Sequence, residues 1–326
     1  MSSISLASLQ APVRAELDAM NAHLKQLRDS NVELIRQVGE HVLGGGGKQL
    51  RPTLLLLVSR LGGRNQDLAV LAATVVELIH TATLIHDDSV DGSNLRRGRP
   101  TVNRAFNHSV SILMGDFVYS KAFAILAERK LYPLIDILAQ ATHRMSTAEL
   151  LEMDLKHKVT TTEQEYLGMI DGKTGVLFQA ACEIGAYLGI GEGEAERFRD
   201  FGRSLGLAFQ IADDLIDIVG EESVIGKDRG NDLKEGKVTL PYIAALRNSP
   251  PEERAHYSDL LEHPERVNGD WDAMVDWVRR RGGERYSRDL ASVHAGHARS
   301  LLDAFPVSDA RQALHDAAGY VVSRAL

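Results

Sequence analysis

Apolar residues recur at three- and four-residue spacing along nearly the whole chain, as in Leu71, Val75, Leu78, Ile79 and Ala82. Sustained period-two alternation is hard to find, so the chain is restricted to helices packed on helices, an all-α fold. Breakers separate the periodic segments: Gly44 to Gly47, Gly62-Gly63, Gly92, Gly98 with Pro100, Gly191 with Gly193, Pro250-Pro251 and Gly282-Gly283. Helices are predicted from near Val13 to Leu43, Pro52 to Leu61, Leu68 to Asp91, Val110 to Ala127, Leu134 to Lys156, Glu163 to Leu188, Glu194 to Val219 and Val238 to Arg247. Two or three more follow Pro251, about ten in all. No linker rich in Pro, Ser or Gly divides the chain, which predicts one domain over 1–326 with a frayed end over 1–15. The more charged segment after Pro251, with Trp271 and Trp277 on an amphipathic helix, reads as scaffold.

A net charge of −8 provides no global positive field. Nucleic acid is therefore not an expected partner, and an anionic substrate needs a local basic cluster. Cys182 is the only cysteine, so an intrachain disulfide cannot form, in keeping with a reducing cytoplasm. The first twenty residues lack a basic segment followed by an unbroken apolar run, and read poorly as a signal peptide. Strongly apolar stretches such as Leu54 to Val58 fall well short of the roughly 18 residues of a membrane span. A soluble, cytoplasmic protein without stable membrane insertion is expected, although its product can be hydrophobic.

Asp-Asp-x-x-Asp occurs twice, each time at the end of an apolar helix: Asp87, Asp88 and Asp91, then Asp213, Asp214 and Asp217. The first and third aspartates stand at i and i+4 and the second and third at i and i+3, so three like charges share one helical face. A lone motif of this kind is more often a solvated acidic patch than a metal site. Two in matching contexts point to Mg²⁺, which keeps waters and shares substrate phosphates. Lys227 and Lys237 follow the second motif, Lys48 and Arg51 follow a four-glycine run, and Arg96-Arg97 follow the first motif. Glycine lets backbone approach a ligand, and arginine grips phosphate bidentately, although each signal alone also fits a flexible turn or a solvated charge.

The order of these motifs, from about Gly45 to Pro241, resembles the trans-isoprenyl diphosphate synthase family. Ile79-His-Thr-Ala-Thr-Leu-Ile-His86 before the first motif and Gly115-Asp-Phe-Val-Tyr-Ser-Lys-Ala-Phe123 after it resemble the bacterial octaprenyl diphosphate synthases that supply quinone side chains. The resemblance implies a helical bundle around a deep cavity, commonly a homodimer, that condenses isopentenyl diphosphate with an allylic diphosphate. It implies that the six aspartates bind about three Mg²⁺, with Mn²⁺ able to substitute. It further places Arg96, Lys173, Thr174, Gln210, Lys227 and Lys237 around the allylic diphosphate, and Lys48, Arg51, His80 and Arg97 around isopentenyl diphosphate. Lys173 and Lys227 join the aspartates as the catalytic set, because charge on the departing diphosphate must be stabilised. His86 reads as a packing residue.

Product length and starter stay open between shorter and longer chains and among dimethylallyl, geranyl and farnesyl diphosphates. Ala82 and Thr83 lie about 6–8 Å below Asp87 along its helix. In short-product members of the family this level is often closed by Phe or Tyr. Small residues here imply a tunnel that continues down to a floor set by Phe123 or Ile125, with products of C30 or longer, C40 the best single choice, from farnesyl diphosphate, unless Ala82 merely permits close helix packing. Two other enzyme or metal classes compete. A terpene cyclase usually carries a different second metal motif and lacks a second diphosphate pocket. Glu77-x-x-His80 and Glu253-x-x-His256 resemble di-iron pairs, which would leave six aspartates without a role. A non-catalytic prenyltransferase subunit would not need intact metal motifs.

Overall fold

The computed structural model describes residues 4–26, 30–43, 47–96, 98–220 and 230–323. They form an all-helical bundle: α1 Leu6–Gln10, α2 Arg14–Gln26, α3 Glu33–Leu43, α4 Leu50–Gly62, α5 Gln66–Val90, α6 Val102–Ala105, α7 His108–Glu128, α8 Tyr132–Leu155, α9 Glu163–Ile170 and α10 Val176–Gly189. The rest are α11 Ala195–Val219, α12 Asn231–Lys234, α13 Leu240–Arg247, α14 Pro251–Glu262, α15 Trp271–Arg280, α16 Gly283–Ser300 and α17 Asp309–Ser323.

Helix α10 is apolar but for Gln179 and Glu183 and is almost wholly buried, which makes it the axis around which α4, α5, α8 and α11 pack. Its crossing with α4 is close because Gly185 and Gly189 carry no Cβ. An added Cβ would fall 2.5 Å from the Leu55 carbonyl oxygen at the first and 2.2 Å from that of Ser59 at the second. A second apolar cluster surrounds Trp277, whose ring stacks on Tyr257 at 4.0 Å and donates to the Ser249 hydroxyl at 3.0 Å.

Four features differ from the sequence expectation. Leu6–Gln10 is helical, opened by a reciprocal Ser5–Ser8 cap, and Leu9 and Val13 are buried, where a frayed end was expected. The expected helix from Val13 to Leu43 is two helices; Ser30, whose hydroxyl accepts from the Val32 amide, competes with helical hydrogen bonding just before the second. Leu95–Arg96 and Arg99–Pro100 pair as a two-residue antiparallel ribbon, β1–β2. Finally, α5 and α7 are each long and apolar enough to cross a membrane, which no contiguous apolar run foretold. Most of α5 lies inside the bundle, whereas only a third of the apolar stretch of α7 is buried.

Candidate active site

Helix α5 ends with Asp87 and Asp88, and Asp91 is its C-cap, whose N–H donates to the Asp87 carbonyl at 2.8 Å. Asp88 is buried, and its two oxygens share the single Nε–H of Arg96 on β1 in a bifurcated bond of 2.9 and 2.8 Å. The ribbon therefore serves to bring Arg96 back over the helix end. Asp91 lies 3.8 Å from Lys156, where α8 stops. Burial, reinforced by Glu149, pushes the Asp87 carboxyl up to about 7 despite Lys173 and Arg96. His86 packs against α7: its Nε2 is 3.3 Å from Asp116 and 3.2 Å from the Ile112 carbonyl oxygen, and an added Cβ on Gly115 would fall 2.3 Å from its ring.

Helix α11 carries the second motif. Asp214 is buried, accepting from the Tyr166 hydroxyl at 2.6 Å and from Gln210 Nε2 at 2.7 Å. Burial lifts its carboxyl to about 7 against both bonds. Asp217 accepts from the backbone N–H groups of Asn231 and Asp232 at 3.2 and 3.1 Å, capping α12. Asp213 is close enough to Arg51 to oppose the fall of that guanidinium to about 10, a fall that burial causes and Glu77 also resists.

Between the motifs, residues Asp171–Gly175 form a π-helical turn joining α9 to α10. Such a turn inserts one residue into the helical ladder and is frequent at functional sites. It displays two neighbouring side chains in different directions. Lys173 reaches α8, touching Glu149 at 2.9 Å and Glu152 more closely still. Thr174 donates to Gln210 Oε1 at 2.7 Å, and Gln210 in turn donates to Asp214. Asp171 anchors the turn through Arg144 of α8 at 2.9 Å and Arg203 of α11 at 3.2 Å. Lys237 pairs with Glu235 at 2.7 Å and stands 4.0 Å from Asp232. Burial would lower its ammonium, but Glu152, Asp232 and Glu235 overcome this and raise it. Asp232 itself is pushed well up, by burial and then by Asp214 and Asp217. A cavity of about 90 Å³ opens here, lined among others by Tyr166, Lys173, Thr174, Gln210, Asp214 and Lys237.

Arg51 and His80 meet at 3.1 Å, and the guanidinium lies 4.6 Å over the Phe178 ring. Lys48 is exposed just before α4. Arg97 and Lys227 lie outside the described residues. Ala82 is fully buried; Thr83 is half-buried and donates to the His80 carbonyl at 2.8 Å. On α7, Phe123 and Ile125 are half-buried, and the Phe123 ring lies tilted beside Tyr119 at 5.2 Å along an open groove between α7 and α8. Glu253 pairs with Arg280 and Arg281, far from the setting of Glu77 beside Arg51, so the two Glu-x-x-His pairs do not converge.

Sequence reasoning missed Glu149, Glu152, Lys156, Tyr166 and Asp232. The first two stand at i and i+3 on α8, a weaker form of the same carboxylate spacing, whereas Tyr166 had no local signal. Among the described residues, no three acidic, His or Cys side chains close a metal cage by themselves. The donor set still fits Mg²⁺, which takes one or two carboxylates together with waters and substrate phosphates. Crowded carboxyls pushed up to about 7 are what such a cation would relieve.

Residues 32–278 match the family model of the polyprenyl synthetases. The chain is 37% identical over 307 residues to an all-trans-nonaprenyl-diphosphate synthase, geranyl-diphosphate specific, of Rhodobacter capsulatus, covering 93% of each chain. It is 34% identical over 312 residues to the octaprenyl diphosphate synthase of Escherichia coli, covering 95% of this chain and 96% of that one. The crystal structure of a Caulobacter crescentus polyprenyl synthase complexed with calcium and isoprenyl diphosphate superimposes with a TM-score of 0.93 at 35% identity over the full length of both.

Proposed function

The chain belongs to the polyprenyl synthetase family and is a prenyltransferase, and from that premise we propose that it condenses isopentenyl diphosphate with farnesyl diphosphate to give all-trans octaprenyl (C40) diphosphate for quinone side chains. The observation carrying this reading is the π-helical turn, whose consecutive Lys173 and Thr174 reach toward one acidic motif each. A diphosphate between the motifs would meet carboxylates through metal on two sides and the turn directly.

In this reading Asp87, Asp88, Asp91, Asp213, Asp214 and Asp217 hold about three Mg²⁺. The bound ions supply Lewis-acid neutralisation of charge on the departing diphosphate. Arg96, Lys173, Thr174, Gln210, Lys227 and Lys237 bind that diphosphate, with Lys173 and Lys237 exchanging their carboxylate partners for phosphate oxygens. Lys48, Arg51, His80 and Arg97 bind isopentenyl diphosphate. As the allylic C–O bond breaks, its electron pair leaves with the diphosphate; the isopentenyl double bond attacks the carbon, and the proton then lost passes to the departing diphosphate. Buried basic groups stabilise developing charge most where water is excluded.

The relatives named above make octaprenyl and nonaprenyl chains at comparable identity, so C45 is the second reading. Half-buried Thr83 and Phe123, on packed helices α5 and α7, support a tunnel toward the α7–α8 groove. We further read the protein as a cytoplasmic homodimer working as one domain. The support is that α7 leaves Leu113 67% exposed and α8 leaves Leu150 65% exposed, apolar surface that a second copy would cover. Incubation with Mg²⁺, farnesyl diphosphate and labelled isopentenyl diphosphate, followed by chromatography of the dephosphorylated products, tests the assignment. A main product of C40 supports it; C45 shifts the length alone, and products no longer than C20 overturn the long-chain reading.

A further inference from the structure

Helix α1 at its last residue and helix α2 at its middle touch the loop that carries Lys48. Gln49, between Lys48 and the first turn of α4, has φ +48° and ψ +37°, left-handed backbone that a residue with a side chain rarely adopts. Relaxation to right-handed geometry would extend α4 by a residue at its start and swing Lys48 around the helix axis. Two contacts oppose this, while α4 holds the Gln49 carbonyl oxygen as the fixed end. Asn21 of α2 and Gln49 exchange both amide hydrogen bonds, at 2.7 and 3.4 Å. Gln10 of α1 donates to the Lys48 carbonyl oxygen at 3.0 Å. Thr53, fully buried, donates to the Gln49 carbonyl oxygen from both its N–H and its hydroxyl, at 3.0 and 2.7 Å. The helices supplying these amides are themselves fixed, since Leu9, Val13, Leu17, Met20 and Leu24 are buried and Glu16 pairs with Arg60 of α4.

We propose that Asn21 and Gln10 are positioning residues for isopentenyl diphosphate, holding Gln49 in its left-handed conformation so that Lys48 and Arg51 face the same ligand. The inference rests on the assignment of Lys48 and Arg51 to that pocket. Strain held by surrounding contacts is a recurrent way to fix a binding group, and it makes a specific rescue possible, because glycine adopts this backbone without help.

Steady-state kinetics with both substrates varied decides the matter. Asn21→Ala should raise the KM for isopentenyl diphosphate about 10-fold, with kcat and the allylic KM changed less than about 2-fold. Gln49→Gly alone should behave as wild type, and Asn21→Ala combined with Gln49→Gly should bring the isopentenyl KM back to within about 2-fold of it. A merely structural role for Asn21 would not be repaired at position 49. An unchanged isopentenyl KM in folded Asn21→Ala, or no rescue in the double variant, overturns the proposal. Lys48→Ala separates the two levels: if it raises the isopentenyl KM while Asn21→Ala does not, only the positioning role falls, and if it leaves that KM unchanged, the pocket assignment falls and takes this inference with it.

Discussion

The two Asp-rich motifs are alike in spelling and unlike in surroundings. At the end of α5 the partners are long cations: Arg96, itself 40% exposed, on Asp88, and Lys156 near Asp91. At the end of α11 the hydrogen bonds on two of the aspartates come from groups fixed by the fold, Tyr166 and Gln210 on Asp214 and two backbone N–H groups on Asp217, with Arg51 and Lys237 close by. A flexible cation can be exchanged for a metal ion at little cost. A buried tyrosine hydroxyl cannot leave without an unsatisfied group, worth about 1–3 kcal/mol. Under the proposed function the first motif would exchange side-chain cations for metal, whereas the hydrogen bonds on Asp214 and Asp217 would hold that part of the second in place.

The largest expected effect is on turnover. Asp87→Ala and Asp213→Ala should each lower kcat at least about 100-fold while the helical signal persists, since each removes charge stabilisation at the ionising diphosphate. The comparison is sharpened by Asp214→Ala, which should also lower thermal stability, because Tyr166 and Gln210 lose their acceptor. Equal stability of Asp87→Ala and Asp214→Ala would erase the distinction drawn above.

Next in size is Arg51→Ala. A charge-assisted contact is worth about 1.5–3 kcal/mol, so the KM for isopentenyl diphosphate should rise roughly 10-fold or more with the allylic KM little changed. Substrate titrations showing the reverse would exchange the two pockets. A smaller effect on rate but a visible one on product belongs to Thr83→Phe. Its side chain is half-buried, so a ring there should shorten the products toward C15–C20 with turnover retained. Ala82→Phe should act in the same direction but must overpack a fully buried position, at about 1–3 kcal/mol of stability.

The smallest effect concerns pH. The Asp87 and Asp214 carboxyls are pushed up to about 7, far above the ordinary value of 3.8. Between about pH 4 and 7 the folded chain therefore binds more protons than the unfolded one. The associated stability is fully present below about pH 4 and is lost as pH rises through 7. Thermal melts in a chelator should show the midpoint falling from pH 5 to pH 8, and Mg²⁺ should flatten the slope. A midpoint that rises across this range would show that burial does not govern these carboxyls.

What was legible in the sequence is what repeats locally. The run of α5 and α11 and the three-carboxylate face at the end of each follow from spacing alone, and so does the stop of α5 at Gly92. The π-helical turn was not legible, because Asp171-Gly-Lys-Thr-Gly continues the helical period on both sides and the extra residue is stabilised by Arg144 and Arg203 from other helices. Tyr166 meets Asp214 across 48 positions, so no window of sequence contains the pair. The order at the N-terminus was likewise hidden, since Leu9 and Val13 carry no meaning until α17 and α4 are there to cover them.

Diphosphate held between the two Asp-rich motifs would need divalent metal to meet their carboxylates. Calorimetric titration of the purified chain with a non-ionisable thio-analogue of farnesyl diphosphate tests this requirement directly. Binding should appear only with Mg²⁺ and should be lost in both Asp87→Ala and Asp213→Ala. Binding of equal affinity in the presence of a chelator, or retained in either variant, would contradict the account.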